Sequence, residues 1–349
     1  MSNPWKFSKN NPILIWGAGA IGGILGAAFA QAGHKVHLVD IDEEHVRAIN
    51  KNGVRVQGPV REFYARTEAF LPEEVHKSGN VYKLVFLAVK SHHTEAATRQ
   101  LLPHLAEDGV IVSAQNGLNE LAIASIAGPE RTLGCFVNFS AEYLSPGLLN
   151  YGVRAAVVSG EIDGSVTPRS CYVHRLLREF DDGAILTDNI WGYLWSKMVY
   201  GTMLYAGALT DAPIWEPLAH PKYMDLLIAL GREIGAIAAA EGVSLEPFDG
   251  FDPAAFAPEA SLEDARASMR AMSEHNKAEP ERRSGIWRDL KIRKRKTEVD
   301  GQLPPLVEAA RRNGLEVPLT SGVIDLIHQC EEGLPQTWKN LDILAKAAT

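Results

Sequence analysis

Cysteine is scarce in this sequence, and the positions of the cysteines exclude the usual roles of clustered thiols. The three residues, Cys135, Cys171 and Cys330, lie far apart, without a CxxC pair or a histidine–cysteine spacing suited to zinc. We therefore expect reduced thiols, no metal site and a cytoplasmic location. An excess of positive charge is also missing, and the net charge of −8 gives no general attraction for nucleic acid or anionic membranes.

The sequence also lacks a segment suited to a membrane. The leader MSNPWKFSKNNP is polar and does not contain the apolar core of a signal peptide. The run Trp191–Leu209 has the length of a membrane span, but Lys197 and three glycines lie inside it, and no positively charged flank anchors it. We expect a buried helix of a globular domain here, and no membrane partner.

What the sequence does contain is typical of a two-domain globular protein. At 349 residues the chain exceeds the usual size of one hydrophobic core, and its hydrophobic fraction is 46%. Strand and helix patterns alternate in the first half, whereas helical patterns dominate after about residue 190. We predict an α/β domain over residues 1–188 and an all-helical domain over residues 189–349.

The first half opens with the pattern of a dinucleotide-binding unit. Strand, glycine-rich turn, helix and strand follow one another as ILIW (13–16), GAGAIGG (17–23), LGAAFAQAG (25–33) and KVHLVD (35–40). In this context each glycine of the GxGxxG motif has its own role. Gly17 permits a tight turn, Gly19 lets the backbone approach a pyrophosphate, and Gly22 brings the helix against the sheet. A glycine-rich turn without a ligand is the alternative.

The helix that begins in this turn and the end of the second strand predict the cofactor. The helix offers free N–H donors and the positive end of its dipole to phosphate groups, so Ala20 and Ile21 are cofactor-binding candidates as well. Asp40 ends the second strand, where a carboxylate accepts hydrogen bonds from the ribose hydroxyls of NAD and repels a 2′-phosphate. We favour NAD(H) as the cofactor, and NADP(H) is the alternative.

Two further apolar strands end in polar residues. KLVFLAVK (83–90) ends in Lys90, and GVIVSAQNG (109–117) ends in Gln115-Asn116-Gly117. Because ligands bind beyond the carboxyl ends of parallel strands, we place Lys90 and Asn116 at the edge of the cofactor cleft. A solvated strand end is the alternative for Lys90, and a plain Asn-Gly turn is the alternative for Asn116.

After these strands the pattern changes to a hairpin and then to helices. Residues 131–160 predict two or three antiparallel strands around a Ser-Pro-Gly turn, which close the sheet. One helix is predicted at 224–242. The segment 251–264 predicts a connection followed by a capped helix, and two short helices are predicted within 300–330. The basic run KIRKRK (291–296) indicates a solvated helix face rather than a nucleic-acid site, because acidic residues follow it directly.

In order along the chain, several blocks resemble the ketopantoate reductase family: WGAGAIGG (16–23), LVFLAVKSHHTEAA (84–97), SAQNGLNE (113–120), LWSKMVYG (194–201) and RDLKIRKRKTEVDG (288–301). The resemblance implies a Rossmann domain followed by an all-α domain of the 6-phosphogluconate dehydrogenase C-terminal type. It also implies hydride transfer between a nicotinamide cofactor and a small molecule, either a 2-oxo or 2-hydroxy acid or a related alcohol. Another hydroxy acid or alcohol dehydrogenase, or a non-catalytic NAD(H) sensor, is the alternative. The sequence leaves a homodimer open.

By the same resemblance, Lys197 is the catalytic lysine and Glu298 the substrate-orienting acid. Asn116 is the cleft asparagine, and Lys90 is the lysine near the nicotinamide ribose. An ammonium group in the apolar run around Lys197 can stabilise a developing alkoxide and donate a proton to it. A snorkelling lysine and a surface glutamate are the alternatives.

Several positions depart from the family pattern. The asparagines that are usual four and eight residues after the lysine are Gly201 and Tyr205 here. The counterpart of the usual serine is Ser284 or Gly285, and Asp40 replaces the usual basic residue for a 2′-phosphate. Gly201 makes space and Tyr205 adds an aromatic wall, which favours a bulkier or more apolar substrate than ketopantoate.

Overall fold

A computed structural model describes Trp5, residues 9–277 and residues 280–348 of the chain. The chain splits into two compact units, Met1–Ile190 and Trp191–Thr349. Most of the polar leader lies outside the described residues. Within the part of the chain that is described, no helix is long and apolar enough to cross a membrane.

The first unit is built around parallel strands. Its described strands are β1 (Ile13–Trp16), β2 (Val36–Val39), β3 (Val54–Gln57), β4 (Phe63–Ala65), β5 (Glu68–Phe70), β6 (Tyr82–Leu87), β7 (Leu105–Ser113), β8 (Thr132–Val137), β9 (Ser140–Ser145), β10 (Leu148–Val153), β11 (Val157–Glu161) and β12 (Ile185–Leu186). The main sheet has the order β12-β11-β8-β7-β6-β1-β2-β5, and a second sheet has the order β4-β3-β10-β9. Strands β1, β2, β6 and β7 pair in parallel, so the predicted α/β class is confirmed.

Helices cover both faces of the main sheet. They are α1 (Ala20–Gln31), α2 (Glu43–Asn52), α3 (Thr94–Leu101), α4 (Asn119–Ala127) and α5 (Pro168–Phe180). Ile13 and Ile15 of β1 belong to the hydrophobic core that includes residues of α1 and α5. Leu14 and Trp16 belong to the core that includes residues of α3 and α4. Since alternate residues of a strand point to opposite faces, burial of both faces explains why the strand is apolar throughout.

The hairpin after β8 differs from the prediction in its sheet. Strands β9 and β10 are antiparallel across Pro146-Gly147, as expected, but they join β3 and β4 in the second sheet. Of the strands that begin within 131–160, only β8 and β11 join the main sheet, where they pair antiparallel and β12 follows β11 at the edge, so the prediction that the hairpin itself closes this sheet is wrong. Small residues of α1 explain the second layer. A methyl group at Gly23 would lie 2.6 Å from Leu149 Cδ1, so the second sheet lies close against this helix.

The second unit is helical in its described residues, apart from an isolated bridge between Phe248 and Phe251. Its α-helices are α6 (Ile190–Ala208), α7 (Trp215–Ala219), α8 (Met224–Ala240), α9 (Leu262–Asn276), α10 (Gly285–Arg288), α11 (Val299–Gln302), α12 (Pro304–Arg312), α13 (Pro318–Glu331) and α14 (Lys339–Ala345). The apolar run after residue 190 is the helix α6, as predicted. The expected cap after the acidic connection is Ser261, whose side chain accepts a hydrogen bond from the Asp264 N–H at the start of α9.

The basic run does not form the continuous helix face that the sequence predicted. A π-helical turn covers Asp289–Arg293, and Lys294, with φ of 47°, ends it in the left-handed region. All six residues of the run are exposed, so only the predicted exposure is confirmed. The buried Asp289 carboxylate accepts hydrogen bonds from Arg293 at 3.1 Å and from Arg295 at 2.9 Å. Arg293 is one helical turn from Asp289, but Arg295 is six residues away, so its bond to Asp289 requires the chain to leave the helix after Arg293.

Candidate active site

The glycine-rich turn leaves β1 and is held between the ends of two neighbouring strands. The N–H groups of Gly17 and Ala18 donate to the Val39 carbonyl at 2.8 and 2.9 Å. Gly17 has φ of +100°, and a methyl group there would lie 2.8 Å from the carbonyl carbon of Ala88. Because both the backbone conformation and the space require glycine, no other residue fits this turn without strain.

The other two motif glycines have opposite surroundings. A methyl group at Gly22 would lie 2.1 Å from the Gly17 carbonyl oxygen, so α1 starts in close contact with the turn. At Gly19, in contrast, a methyl group would have no atom from elsewhere in the described residues within 4 Å. Gly19 is the N-cap of α1, and the half-buried Ala20 and Ile21 form its first turn. The side-chain position of Gly19 is therefore open, and the N–H groups in the first turn of α1 have no partner within the helix, so these residues fit a dinucleotide pyrophosphate.

Strand register brings the predicted cofactor residues to one edge of the sheet. Trp16 pairs with both Val39 and Leu87, and Leu87 pairs with Ser113. The segments that follow these four residues therefore leave the sheet at the same edge. These segments carry the other predicted cofactor-binding residues of the first unit. Asp40 and Lys90 are half-buried, and Asn116 is exposed.

Negative charge is concentrated at the end of β2. Asp40 accepts a hydrogen bond from the Asp42 N–H at 3.0 Å, and Asp42 caps α2 by accepting from the N–H groups of Glu44 and His45. The Tyr143 hydroxyl donates to the other Asp42 oxygen at 3.1 Å. Burial, the bond to Asp42 and the nearby carboxylates raise the pKa of Tyr143. The carboxylates of Asp40, Asp42 and Glu44 lie where a 2′-phosphate on the adenosine ribose is expected to approach.

A buried polar network joins the ends of β6 and β7. The Gln115 amide donates to the Val89 carbonyl at 2.9 Å and to the Thr94 hydroxyl at 2.8 Å. Asn119 accepts from that hydroxyl at 2.9 Å and donates to the Asn116 carbonyl at 2.7 Å. The network thus positions the turn that carries Asn116. Sequence reasoning missed it, although Gln115 and Asn119 flank the residue that was singled out.

Glu120, which follows this network in α4, is fully buried. Burial raises the pKa of its carboxyl group to about 8, so the group is mainly protonated at neutral pH. A neutral acid beside the candidate ligand edge was not predicted. The sequence offers no signal for it, because a glutamate in the first turn of a helix is usually a solvated residue that stabilises the helix dipole.

In the second unit, Lys197 lies near the middle of α6 and is half-buried. One turn later on the same face, a methyl group at Gly201 would have no atom beyond its own helix within 4 Å. The predicted space at this position is therefore present. Tyr205, one turn further, is only 1% exposed. The aromatic wall expected at Tyr205 is therefore not formed, because the buried ring offers almost no surface to a substrate.

Two carboxylates from distant parts of the second unit act on this face of α6. After burial, the largest electrostatic cause that raises the pKa of Tyr205 is the charge of Glu298, itself half-buried. Burial and the charge of Glu246 likewise raise the pKa of Tyr193, one turn before Lys197. Glu246 was missed by sequence reasoning, because nothing in the primary structure links it to α6. Its N–H donates to the Ser196 hydroxyl at 2.9 Å.

Family profiles and curated relatives agree with the predicted resemblance. The profile of "Ketopantoate reductase PanE/ApbA" matches residues 13–164, and that of its C-terminal domain matches residues 189–331. The 2-dehydropantoate 2-reductase of Pyrococcus abyssi is 26% identical over 316 residues, which are 88% of this chain and 93% of that protein. The enzyme of the same name from Archaeoglobus fulgidus is 24% identical over 324 residues, which are 92% of this chain and 98% of that protein.

Solved structures share the fold over nearly the whole chain. A PanE/ApbA family ketopantoate reductase from Ralstonia eutropha has a TM-score of 0.76 at 24% identity, covering 92% of this chain and 98% of its own. D-mandelate dehydrogenase with NADH and anilino(oxo)acetate has a TM-score of 0.78 at 21% identity, with the same coverage. The expected order of a Rossmann domain and a helical domain is therefore confirmed. Because the family profiles cover most of both units, the chain belongs to the ketopantoate reductase family of NAD(P)-dependent oxidoreductases.

Proposed function

We propose that the chain is an NADH-dependent reductase of 2-oxo acids that are bulkier or more apolar than ketopantoate. The observation that carries this proposal is the half-buried Lys197 with open space at Gly201, one turn away on the same helix face. The asparagine that the family usually carries at the position of Gly201 would fill part of this space with a polar group. The structural likeness to D-mandelate dehydrogenase, solved with the aromatic anilino(oxo)acetate, supports an apolar substrate.

In the proposed reaction, Lys197 stabilises the negative charge that develops on the carbonyl oxygen and donates a proton to it. When bound, the nicotinamide cofactor supplies the hydride to the carbonyl carbon, and the π electrons of the carbonyl move to its oxygen. Lys197 then regains a proton from water. Glu298 orients the lysine or holds the substrate. In the first unit, Lys90 and Asn116 bind the nicotinamide end of the cofactor.

The proposed preference for NADH rests on the carboxylates at the end of β2. A 2′-phosphate near Asp40, Asp42 and Glu44 is repelled, whereas a ribose hydroxyl donates a hydrogen bond to Asp40. We expect the native protein to bind NADH at least about 10-fold more tightly than NADPH, a difference of ~1.4 kcal/mol. We expect Asp40→Ala to narrow this ratio. The control Glu107→Ala removes an exposed acid from the beginning of strand β7, at the opposite edge of the sheet, and should leave the ratio unchanged.

Substrate choice is tested with a panel of 2-oxo acids, followed at the nicotinamide absorbance. The panel contains ketopantoate, 2-oxoisovalerate, phenylglyoxylate and phenylpyruvate. We expect kcat/KM to be highest for an aromatic member and at least about 10-fold lower for ketopantoate, in line with the ~1–3 kcal/mol that apolar pocket contacts discriminate. A highest value for ketopantoate would contradict the substrate class and leave the reductase activity standing.

The role of Lys197 is tested by Lys197→Ala with Lys339→Ala as the control, an exposed lysine of the same unit. Loss of the Lys197 ammonium group, the proposed proton donor, should lower kcat by roughly 10²- to 10⁴-fold, while the affinity for NADH is unchanged. The control should match the native protein in both measurements. Unchanged turnover in Lys197→Ala would favour a non-catalytic NAD(H) sensor.

We also propose a cytoplasmic location. The free thiols of Cys135, Cys171 and Cys330 support a reducing compartment. The option of a homodimer stays a prediction, which sedimentation equilibrium of the purified chain can check.

A further inference from the structure

His45 is a buried polar residue of the first unit to which the proposed reaction gives no role. It lies in the first turns of α2, and its side chain is 1% exposed. A buried imidazole needs partners for its ring nitrogens, and this one has a partner for each. Nε2 lies 2.9 Å from the Ala18 carbonyl oxygen, and Nδ1 accepts a hydrogen bond from the Gly147 N–H at 3.0 Å.

These two contacts decide the tautomer of the ring. Because Gly147 presents an N–H, Nδ1 must carry the lone pair, and the proton must lie on Nε2. Nε2 therefore donates to Ala18, the middle residue of the Gly-Ala-Gly turn. The ring also packs edge-on against Tyr143 with centroids 4.9 Å apart. One side chain thus connects the glycine-rich turn, the helix α2 and the hairpin between β9 and β10.

We propose that His45 is a positioning residue for the phosphate-binding turn, acting through the Ala18 carbonyl. In a trans peptide the carbonyl and the following N–H point in opposite directions. A carbonyl of Ala18 that is held toward His45 therefore directs the Gly19 N–H the other way. That N–H belongs to the residue whose side-chain position is open to a ligand. The inference deepens the proposed cofactor site and rests on the binding of a dinucleotide there.

Two variants of similar shape each keep only one of the two hydrogen bonds that the His45 imidazole makes. The amide nitrogen of a glutamine overlaps with Nε2, so His45→Gln keeps the donor to Ala18. The amide oxygen of an asparagine overlaps with Nδ1, so His45→Asn keeps only the acceptor for Gly147. Both variants are polar and smaller than or similar to histidine, and we expect both to fold.

The measurement compares ADP-ribose, which contains the pyrophosphate, with adenosine, which does not, as competitors of NADH. In His45→Asn, we expect the inhibition constant of ADP-ribose to rise about 10-fold, or ~1.4 kcal/mol, and that of adenosine to change less than about twofold. His45→Gln should stay within about threefold of the native protein for both competitors. At saturating NADH, kcat should be nearly unchanged, while KM for NADH rises in the asparagine variant.

A second buried histidine provides the control. His37 is equally buried in the same unit and bonds the Tyr82 hydroxyl at 2.6 Å, away from the glycine-rich turn. His37→Asn should lower the melting temperature without a selective effect on ADP-ribose. Equal effects of the two His45 variants, or an equal effect of His37→Asn, would overturn the positioning role. Failure of the native protein to bind NADH at all would instead contradict the proposed function.

Discussion

The two units build their candidate sites from different parts of the chain. In the first unit the site is mainly backbone: a contiguous glycine motif, a helix N-terminus and the ends of parallel strands in register. In the second unit it consists of side chains, with Lys197 on α6 and carboxylates from distant segments. Backbone geometry follows from local sequence, whereas the placement of charged side chains depends on the packing of many helices.

This difference teaches where substitutions act. Gly17 and Gly22 of the first unit are required by their conformation or by the nearness of other backbone atoms. Gly201 in the second unit has neither constraint, since it lies in a regular helix with open space beside it. The same change, glycine to alanine, should therefore have opposite effects on stability at Gly17 and at Gly201.

The largest expected effect is that of Gly17→Ala. Positive φ and a methyl group 2.8 Å from the backbone of Ala88 should together lower the free energy of unfolding by about 3 kcal/mol or more. Urea denaturation measures this change. The control Gly79→Ala has φ of +66° but no atom within 4 Å, and it should lose only ~1–2 kcal/mol. Equal losses for both variants would show that contact with Ala88 does not matter.

A pH-dependent effect is expected from Glu120 in the first unit. Its pKa is raised to about 8 by burial, so the folded state binds a proton that the unfolded state releases above about pH 4.5. Stability should therefore fall as the pH rises from about 4.5 to 8, by at most ~1.4 kcal/mol per pH unit.

Glu120→Gln removes this titration and keeps the shape of a protonated acid. Urea denaturation of both proteins between pH 5 and pH 9 should give curves whose difference grows toward high pH, with the variant more stable there. As a control, Glu130→Gln changes an exposed residue in the turn after α4. Parallel curves for native protein and Glu120→Gln would contradict the assignment of a buried neutral acid.

The smallest effect is expected from Gly201→Ala. Alanine in a helix interior is favoured over glycine by about 1 kcal/mol, and the added methyl group meets no atom beyond the helix. The variant should therefore be more stable by up to that amount. In Gly235→Ala, a methyl group would lie 2.6 Å from the Phe256 carbonyl oxygen, so this control should be less stable than the native protein. Thermal unfolding distinguishes the two.

The same variant sharpens the proposal on substrate size. If the space beside Gly201 receives the substrate, then Gly201→Ala should lower kcat/KM for the largest accepted 2-oxo acid more than for the smallest. An equal change in kcat/KM across the panel would show that the open space at Gly201 does not contribute to substrate recognition.

Much of the first unit was predictable because its elements are local. Strands such as 13–16 and the helix that follows them are marked by apolar runs and glycines, and their order implies the parallel sheet. The hairpin of β9 and β10 was also predictable from its turn. Its membership in a second sheet was not, because that depends on the glycine face of α1 and on strands β3 and β4 far earlier in the chain.

For the second unit, the sequence by itself determined that one lysine lies in a long apolar helix, but not what surrounds it. The helix supplies no acid on the face of Lys197, and only folding brings the charges of Glu298 and Glu246 close to the tyrosines of that face. The burial of Tyr205 and the two hydrogen bonds of His45 were decided in the same way. Local patterns specify helices, strands and tight turns, because these depend on neighbours in the chain. Burial and electrostatic contacts between distant residues arise only when the elements pack.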